Sequence, residues 1–245
     1  MMKKVFTKIA KSVVACALGL VILGQAVAVT ASASEPVFDF NGSRYTRVEF
    51  LARYGNFSFT LNGTRVTAEA IFDMFAMTLL DEYRLTEEEI AEWIYEYKAS
   101  GGISAVELQL LYYTNRERER AGVPPLRLCP YLSMAARFKA EEMAELRYFA
   151  HESPVYGHPS NISRELFGIE GFRSENLTRR IIRPDTAYDL IRSWRSSPAH
   201  WENMLSPYHT YLGVGIVENV MGMGVNYDGT PITDRYASLG VQKFR

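Results

Sequence analysis

The chain has 245 residues, 47% of them hydrophobic, with 27 basic and 28 acidic side chains and a formal net charge of −1. That near-balance excludes the basic footprint of a nucleic-acid binder. Two cysteines, Cys16 and Cys129, exclude a disulfide-rich scaffold, so the fold rests on its core.

Residues 1–33 read as a secretory signal peptide. Lys3, Lys4, Lys8 and Lys11 precede an apolar stretch from Val13 to about Val29, and Ala31, Ser32 and Ala33 supply small residues before Glu35 and Pro36. Cleavage after Ala33 leaves 23 basic against 28 acidic residues, a net charge of −5, and Cys129 as the sole cysteine. The expected product is secreted, extracellular or associated with the cell envelope, free of disulfides and without a transmembrane segment.

Residues 34–100 read as a small N-terminal module. Phe57, Phe59 and Leu61 alternate with Ser58 and Thr60 ahead of Asn62-Gly63, the dipeptide that favours a tight hairpin turn, and Asn41-Gly42 offers a second. A helix is expected over 67–81, with Ile71, Met74, Phe75 and Leu79 on one face. Another opens at Thr86 and Glu89 in capping-box spacing, carries Ile90, Trp93, Ile94 and Tyr97, and stops at Gly101-Gly102. Nothing in this module carries catalytic residue types in a recognisable pattern.

From Ser104 the texture changes. Ser104 and Glu107 cap a helix whose apolar face reads Leu108, Leu111, Tyr112 and Asn115, and Gly122 ends it. A long helix follows over about 131–148, then a short one near Asn161–Phe167. A further helix starts at Pro184 and buries Ala187, Leu190, Ile191 and Trp194. The Gly-punctuated remainder reads as two or three antiparallel strands. Helices first and strands later give an α+β layered fold. No internal repeat, low-complexity run or phosphate-binding glycine loop is visible.

Four histidines remain for chemistry. His158 and His209 lie in "YGHPS" and "PYHTY", contexts of exposed loops. His151 closes the long helix in "FAHESP", His200 lies in "SSPAHWENML", and Glu175 in the loop "SENLT". No local spacing links these three, and a lone histidine is more often structural than functional.

Five short motifs in order add what spacing lacks. Asn115, Arg118, Gly122, Pro125 and Leu126 form N-x-x-R-x-x-x-G-x-x-P-L; Phe149, His151, Ser153 and Pro154 form F-x-H-x-S-P. Glu175-Asn176, then Trp194, Ser197, Pro198, His200, Asn203 and Leu205, then Gly213 and Gly215 complete the set. The stretch 104–245 thereby resembles the CAP superfamily (cysteine-rich secretory proteins, antigen 5, pathogenesis-related 1, with an SCP-like domain), in its bacterial, cysteine-poor branch. The resemblance implies an α-β-α sandwich with a cleft lined by His151, Glu175 and His200, flanked by Ser153 and Asn176. It also implies that some members hold zinc or another divalent cation there, for which His151 and His200 are the metal-ligand candidates. Ser197 stands where many plant and animal members carry a second glutamate, Ser174 where a glycine often precedes Glu-Asn, and Trp201 where a basic residue often follows the second histidine. Three readings stay open at this point: capture of an extracellular ligand (lipid, peptide or envelope component) in the cleft; metal-dependent hydrolysis with His151 and His200 as ligands and Glu175 as ligand or base; or docking to wall or partner through residues 34–100, with the remainder as scaffold.

Overall fold

A computed structural model describes residues 35–40, 43–61, 64–181, 186–225, 231–232 and 234–245. The signal segment, both Asn-Gly turns and the Pro184 helix start lie outside these residues. The described residues divide into two compact units: one comprises Glu35–Thr86 together with Glu152–His158, the other Glu87–His151 and Pro159–Arg245.

The smaller unit is built twice from the same plan. Strands β1 (Val37–Phe40) and β2 (Ser43–Thr46) pair antiparallel and lead into helix α1 (Arg47–Tyr54). Strands β3 (Ser58–Leu61) and β4 (Thr64–Thr67) do the same into α2 (Ala68–Phe75). Phe38, Arg44 and Thr46 recur 21 residues later as Phe59, Arg65 and Thr67, so a tandem hairpin–helix repeat is present where the sequence reading found none. Each threonine caps its helix, Thr46 accepting from the Glu49 amide and Thr67 from that of Ala70. A two-stranded hairpin cannot bury a core alone, and here the two helices close it. Phe50 and Phe72 are buried, their ring centroids 5.8 Å apart, with Phe38 edge-on to Phe50 at 5.1 Å. Helix α2 is shorter than its apolar pattern suggested, because Ala76 turns extended and Met77 pairs with Val37. Met74, assigned to the buried face, is 69% exposed. Glu152–His158 joins this unit through backbone partners: the Leu80 amide donates to the Pro154 carbonyl at 2.8 Å, and Arg44 to that of Tyr156 at 2.6 Å.

The larger unit is an α-β-α sandwich. Its sheet has the order β5–β7–β10–β6, from β5 (Arg127–Leu128), β7 (Tyr211–Met221), β10 (Tyr236–Phe244) and β6 (Ser174–Ile181). The last three are antiparallel neighbours, and β5 joins β7 in parallel. A separate two-stranded ribbon pairs β8 (Gly224–Val225) with β9 (Pro231–Ile232). Helices α4 (Ala105–Arg120), α6 (Thr186–Arg195) and α7 (Pro198–Leu205) cover one face, enclosing Leu110, Leu190, Trp194, Met204, Val214 and Phe244. Helix α5 (Pro130–Glu145) covers the other, over Ala136, Ala140, Met143, Leu239 and Val241. Each of the larger of these side chains contributes roughly 1.5–3 kcal/mol by leaving water.

Two close approaches decide the geometry. A Cβ at Gly213 would meet the Leu132 backbone at 2.3 Å, and one at Gly215 the Arg137 nitrogen at 2.2 Å, so α5 lies directly on β7 only because both residues are glycine. Arg118, 1% exposed, donates to the carbonyls of Pro124, Met204 and Ser206 and ties α4 to two loops. Asn115 exchanges two hydrogen bonds with the Leu126 backbone.

Helix α4 keeps its predicted start, since Ser104 and Glu107 make a reciprocal capping box. Its buried face is a different one, however: Leu108 and Tyr112 are exposed while Glu107, Leu110, Thr114 and Arg118 are buried. Apolar residues surround this helix, so periodicity alone could not phase it. Helix α3 (Glu87–Ala99), read from the sequence as part of the N-terminal module, packs within the larger unit. Its Trp93 meets Phe138 and Phe167, and the indole N–H donates to Glu141 at 2.7 Å. No helix among the described residues is long and apolar enough to cross a membrane.

Candidate functional site

The site forms around β6, an edge strand of the sheet. Glu175 is not in a loop, as the sequence suggested, but the second residue of β6. Strand alternation puts successive side chains on opposite faces, so Glu175 and Asn176 serve different neighbours. The antiparallel register sets Lys243 opposite Glu175 and Gln242 opposite Asn176.

On the α5 face, Lys243 and Glu175 are both sealed from solvent, and the ammonium lies 2.6 Å from Glu175 Oε2. Lys243 also donates to the Pro159 carbonyl at 2.9 Å, with its ammonium 5.0 Å from the centroid of the Phe172 ring. Glu175 Oε1 is 2.9 Å from Nδ1 of His151. Burial opposes ionisation of Glu175, but Lys243, the His151 hydrogen bond and the charge of Lys139 outweigh it and hold the carboxyl below its ordinary range. An ionised carboxylate only accepts, so His151 Nδ1 is the donor in this hydrogen bond. The ring is 47% exposed on its side-chain surface. Its backbone is fixed as well: the fully buried Lys139 donates to the His151 carbonyl and to the Tyr148 hydroxyl, both at 2.9 Å, and Tyr148 donates in turn to Glu142.

On the opposite face, Asn176 is completely buried. Its amide donates to the His200 carbonyl and to Gln242 Oε1, each at 3.0 Å, and its oxygen accepts from Asn203 at 2.9 Å. Gln242 continues the chain to Thr114, which donates to the Leu110 carbonyl. His200, the third residue of α7, is thus held to the sheet through its own main chain. Burial, and then the proximity of His151, push the His200 imidazole below its usual value, so it is neutral at neutral pH. The two histidines influence one another electrostatically from either side of the edge strand.

The predicted residues therefore have distinct fates. His151, Glu175 and His200 come together. Asn176 braces His200 without presenting its own side chain. Ser153 is fully buried, with Oγ accepting from the Val155 and Tyr156 amides, the geometry of a turn former. His209, read as an exposed loop residue, is 8% exposed, stacked on Phe244 at 4.9 Å and bonded to Ser174 and Asn203.

A zinc set that adds Glu175 as a third ligand to His151 and His200 does not fit these residues. Glu175 has one oxygen on an ammonium and the other on an imidazole N–H, so a divalent cation there would face Lys243. Among the described residues no three of His, Cys, Asp and Glu converge as metal ligands. Lys243 and Lys139 are the site residues that sequence reasoning missed. The available signal was position: each lysine sits in an otherwise apolar register, Lys243 in line with Leu239 and Val241, Lys139 between Phe138 and Ala140.

Comparison with known proteins adds the family. The cysteine-rich secretory protein family (CAP) matches residues 111–226. YkwD of Bacillus subtilis (strain 168) is 35% identical over 122 residues, 49% of this chain and 46% of that protein, so the chain spans about half the length of this curated relative. Among solved structures, an extracellular SCP-domain protein of Bacillus anthracis aligns at 19% identity and a TM-score of 0.43, covering 82% of this chain and 50% of that one. An outer surface protein of Borrelia burgdorferi aligns at 15% identity and a TM-score of 0.40, covering 56% of this chain and 90% of that one. All the motif residues lie within 111–226, the stretch over which this chain is similar to the cysteine-rich secretory protein (CAP) family.

Proposed function

We propose that this chain is an exported CAP-domain protein that captures an extracellular or envelope ligand on the imidazole pair of His151 and His200. The observation that carries the reading is the hydrogen bond that fixes the His151 ring. Glu175, itself ionised by Lys243, holds Nδ1–H at 2.9 Å and leaves the Nε2 edge of a half-exposed ring for a ligand. Beside it His200, lowered by burial, is a neutral imidazole at neutral pH, and the pair suits polar groups on a lipid, peptide or wall polymer. Export is supported by the basic, apolar and small-residue order of residues 1–33.

Binding to isolated cell-wall polymer, phosphatidylglycerol vesicles and peptide, compared between the wild type, His151→Ala and His200→Ala, tests the reading. Binding by the wild type that is weakened at least tenfold in both variants is expected. Equal binding by all three proteins removes the imidazole pair from the function. The hydrolase alternative is checked in parallel by a calorimetric zinc titration: stoichiometric uptake that both variants abolish would replace ligand capture with metal-dependent hydrolysis.

A further inference from the structure

Outside this site, a second group of titratable side chains lies between α3 and α5. Trp93, Glu96 and Tyr97 stand at i, i+3 and i+4 of α3, one face of the helix. Across from them on α5 is Glu141, 8% exposed, whose Oε2 accepts the Trp93 indole N–H. Three polar atoms here are buried without a partner: Glu96 Oε2, Glu141 Oε1 and the Tyr97 hydroxyl, on a residue only 3% exposed. An ionised carboxylate can only accept, so two ionised glutamates cannot satisfy each other. Orphaned buried oxygens of this kind cost free energy, which an added proton lowers by neutralising a buried carboxylate.

We infer that Glu141, with Glu96, forms a proton-binding site beneath α3, and that its occupancy latches the helix against α5.

The cation beside this site, with its guanidinium 5.8 Å from the Tyr97 ring centroid, is already paired. Arg137, one turn before Glu141, is engaged by both oxygens of Glu107, at 2.8 and 2.6 Å. Glu107 also accepts from the Ser104 and Ile216 amides, which anchors that pair to α4 and β7. Tyr97 is pushed up to about 12, chiefly by burial, and is neutral. The segment 162–167 contributes the apolar Phe167 ring, while its Arg164 and Glu165 pair at 3.6 Å. Burial drives the Glu141 carboxyl up to about 7, opposed by the Trp93 hydrogen bond and Arg137 and reinforced by the charges of Glu107 and Glu96. The proton is therefore held in mild acid and released through neutrality. Because the folded value lies above the ordinary one, release weakens the docked form: α3 is held most firmly below about 4.5 and loosens as pH rises to about 7. The separation of those two values bounds the change in the opening equilibrium at roughly 300-fold.

The test is NMR on the 15N-labelled full chain, following the Trp93 indole N–H and amide exchange over 87–99 between pH 5 and 8.5. The indole resonance should titrate with a midpoint near 7, and protection of α3, corrected for intrinsic exchange, should fall roughly 100-fold. In Glu141→Gln both should become flat, while Glu96→Gln should move the midpoint downward. A flat wild-type profile overturns the inference, as does a titration that persists in Glu141→Gln. If Glu141→Gln does not fold, the wild-type titration and the Glu96→Gln midpoint decide: an unmoved midpoint removes Glu96, and a flat wild type removes the latch.

Discussion

Lys243 is buried, charged and bound on every side, and the order of the site depends on it. It neutralises Glu175, which in turn holds Nδ1 of His151 and orients the ring. Lys243→Met should leave an uncompensated carboxylate in the core and cost about 3–5 kcal/mol, whereas Glu175→Gln with Lys243→Met should recover most of the loss. Urea unfolding of both variants checks this, and a single-variant cost below about 1 kcal/mol would show that the pair is not held as described. His200 makes a separate prediction. Its imidazole should titrate below 6.5 in an NMR pH series, and His151→Ala should raise the midpoint only in part, since burial is the larger cause. The folded value is depressed, so the stability that neutral His200 contributes is present above 6.5 and is lost as pH falls through that value toward the folded one. His151, Glu175 and His200 were legible in the sequence because short motifs mark them. Lys243 was not, because an ion pair across two strands depends on a register that no local pattern encodes.

At the scale of elements, backbone proximity explains what residue identity alone does not. Gly215→Ala should cost about 3 kcal/mol or prevent folding, since its Cβ would strike the Ala136–Arg137 main chain, which cannot give way. Gly240→Ala should cost about 1 kcal/mol, because its nearest neighbours are the ends of the Leu190 and Thr178 side chains, at 2.9 and 3.2 Å. Thermal unfolding of the two variants orders them, and the reverse order would refute the close seating of α5 on β7. The apolar stripe of α6 and the capped start of α4 were readable in advance. Helix α1 was not. Eight residues between aromatic hairpins look extended, although Thr46 and Glu49 make a complete capping box. Only packing of Phe50 against Phe38 and Phe72 decides for the helix. The tandem repeat escaped for a related reason: its copies keep the turn, the cap and one phenylalanine but exchange most core residues.

Over the whole molecule, two buried carboxylates in the larger unit set opposite limits on stability. Glu175, held below its ordinary range, contributes stability that is present above about 4.5 and is lost as pH falls below it. Glu141, raised to about 7, acts the other way: the unfolded chain releases its proton near 4.5 while the folded chain keeps it, so stability declines between those values, by roughly 3 kcal/mol at most, and then levels off. His200 and His209, both lowered, oppose Glu141 below 6.5, so the larger unit should be most stable between about pH 5 and 6.5 and weaker on both sides. Trp93, Trp194 and Trp201 are the chain's three tryptophans and all belong to that unit, so their fluorescence follows its urea unfolding apart from the smaller one. Measured from pH 4 to pH 8.5, the unfolding midpoint should rise and then fall. Glu141→Gln should flatten the alkaline limb and leave the acid limb intact, whereas Glu175→Gln should flatten the acid limb from a lower starting stability, because it strands Lys243. An alkaline limb unchanged in Glu141→Gln would assign that decline to other groups. The contrast between the two variants isolates the effect, since both act on a buried carboxyl yet Glu175 is paired directly with an ammonium while the Arg137 near Glu141 is paired with Glu107.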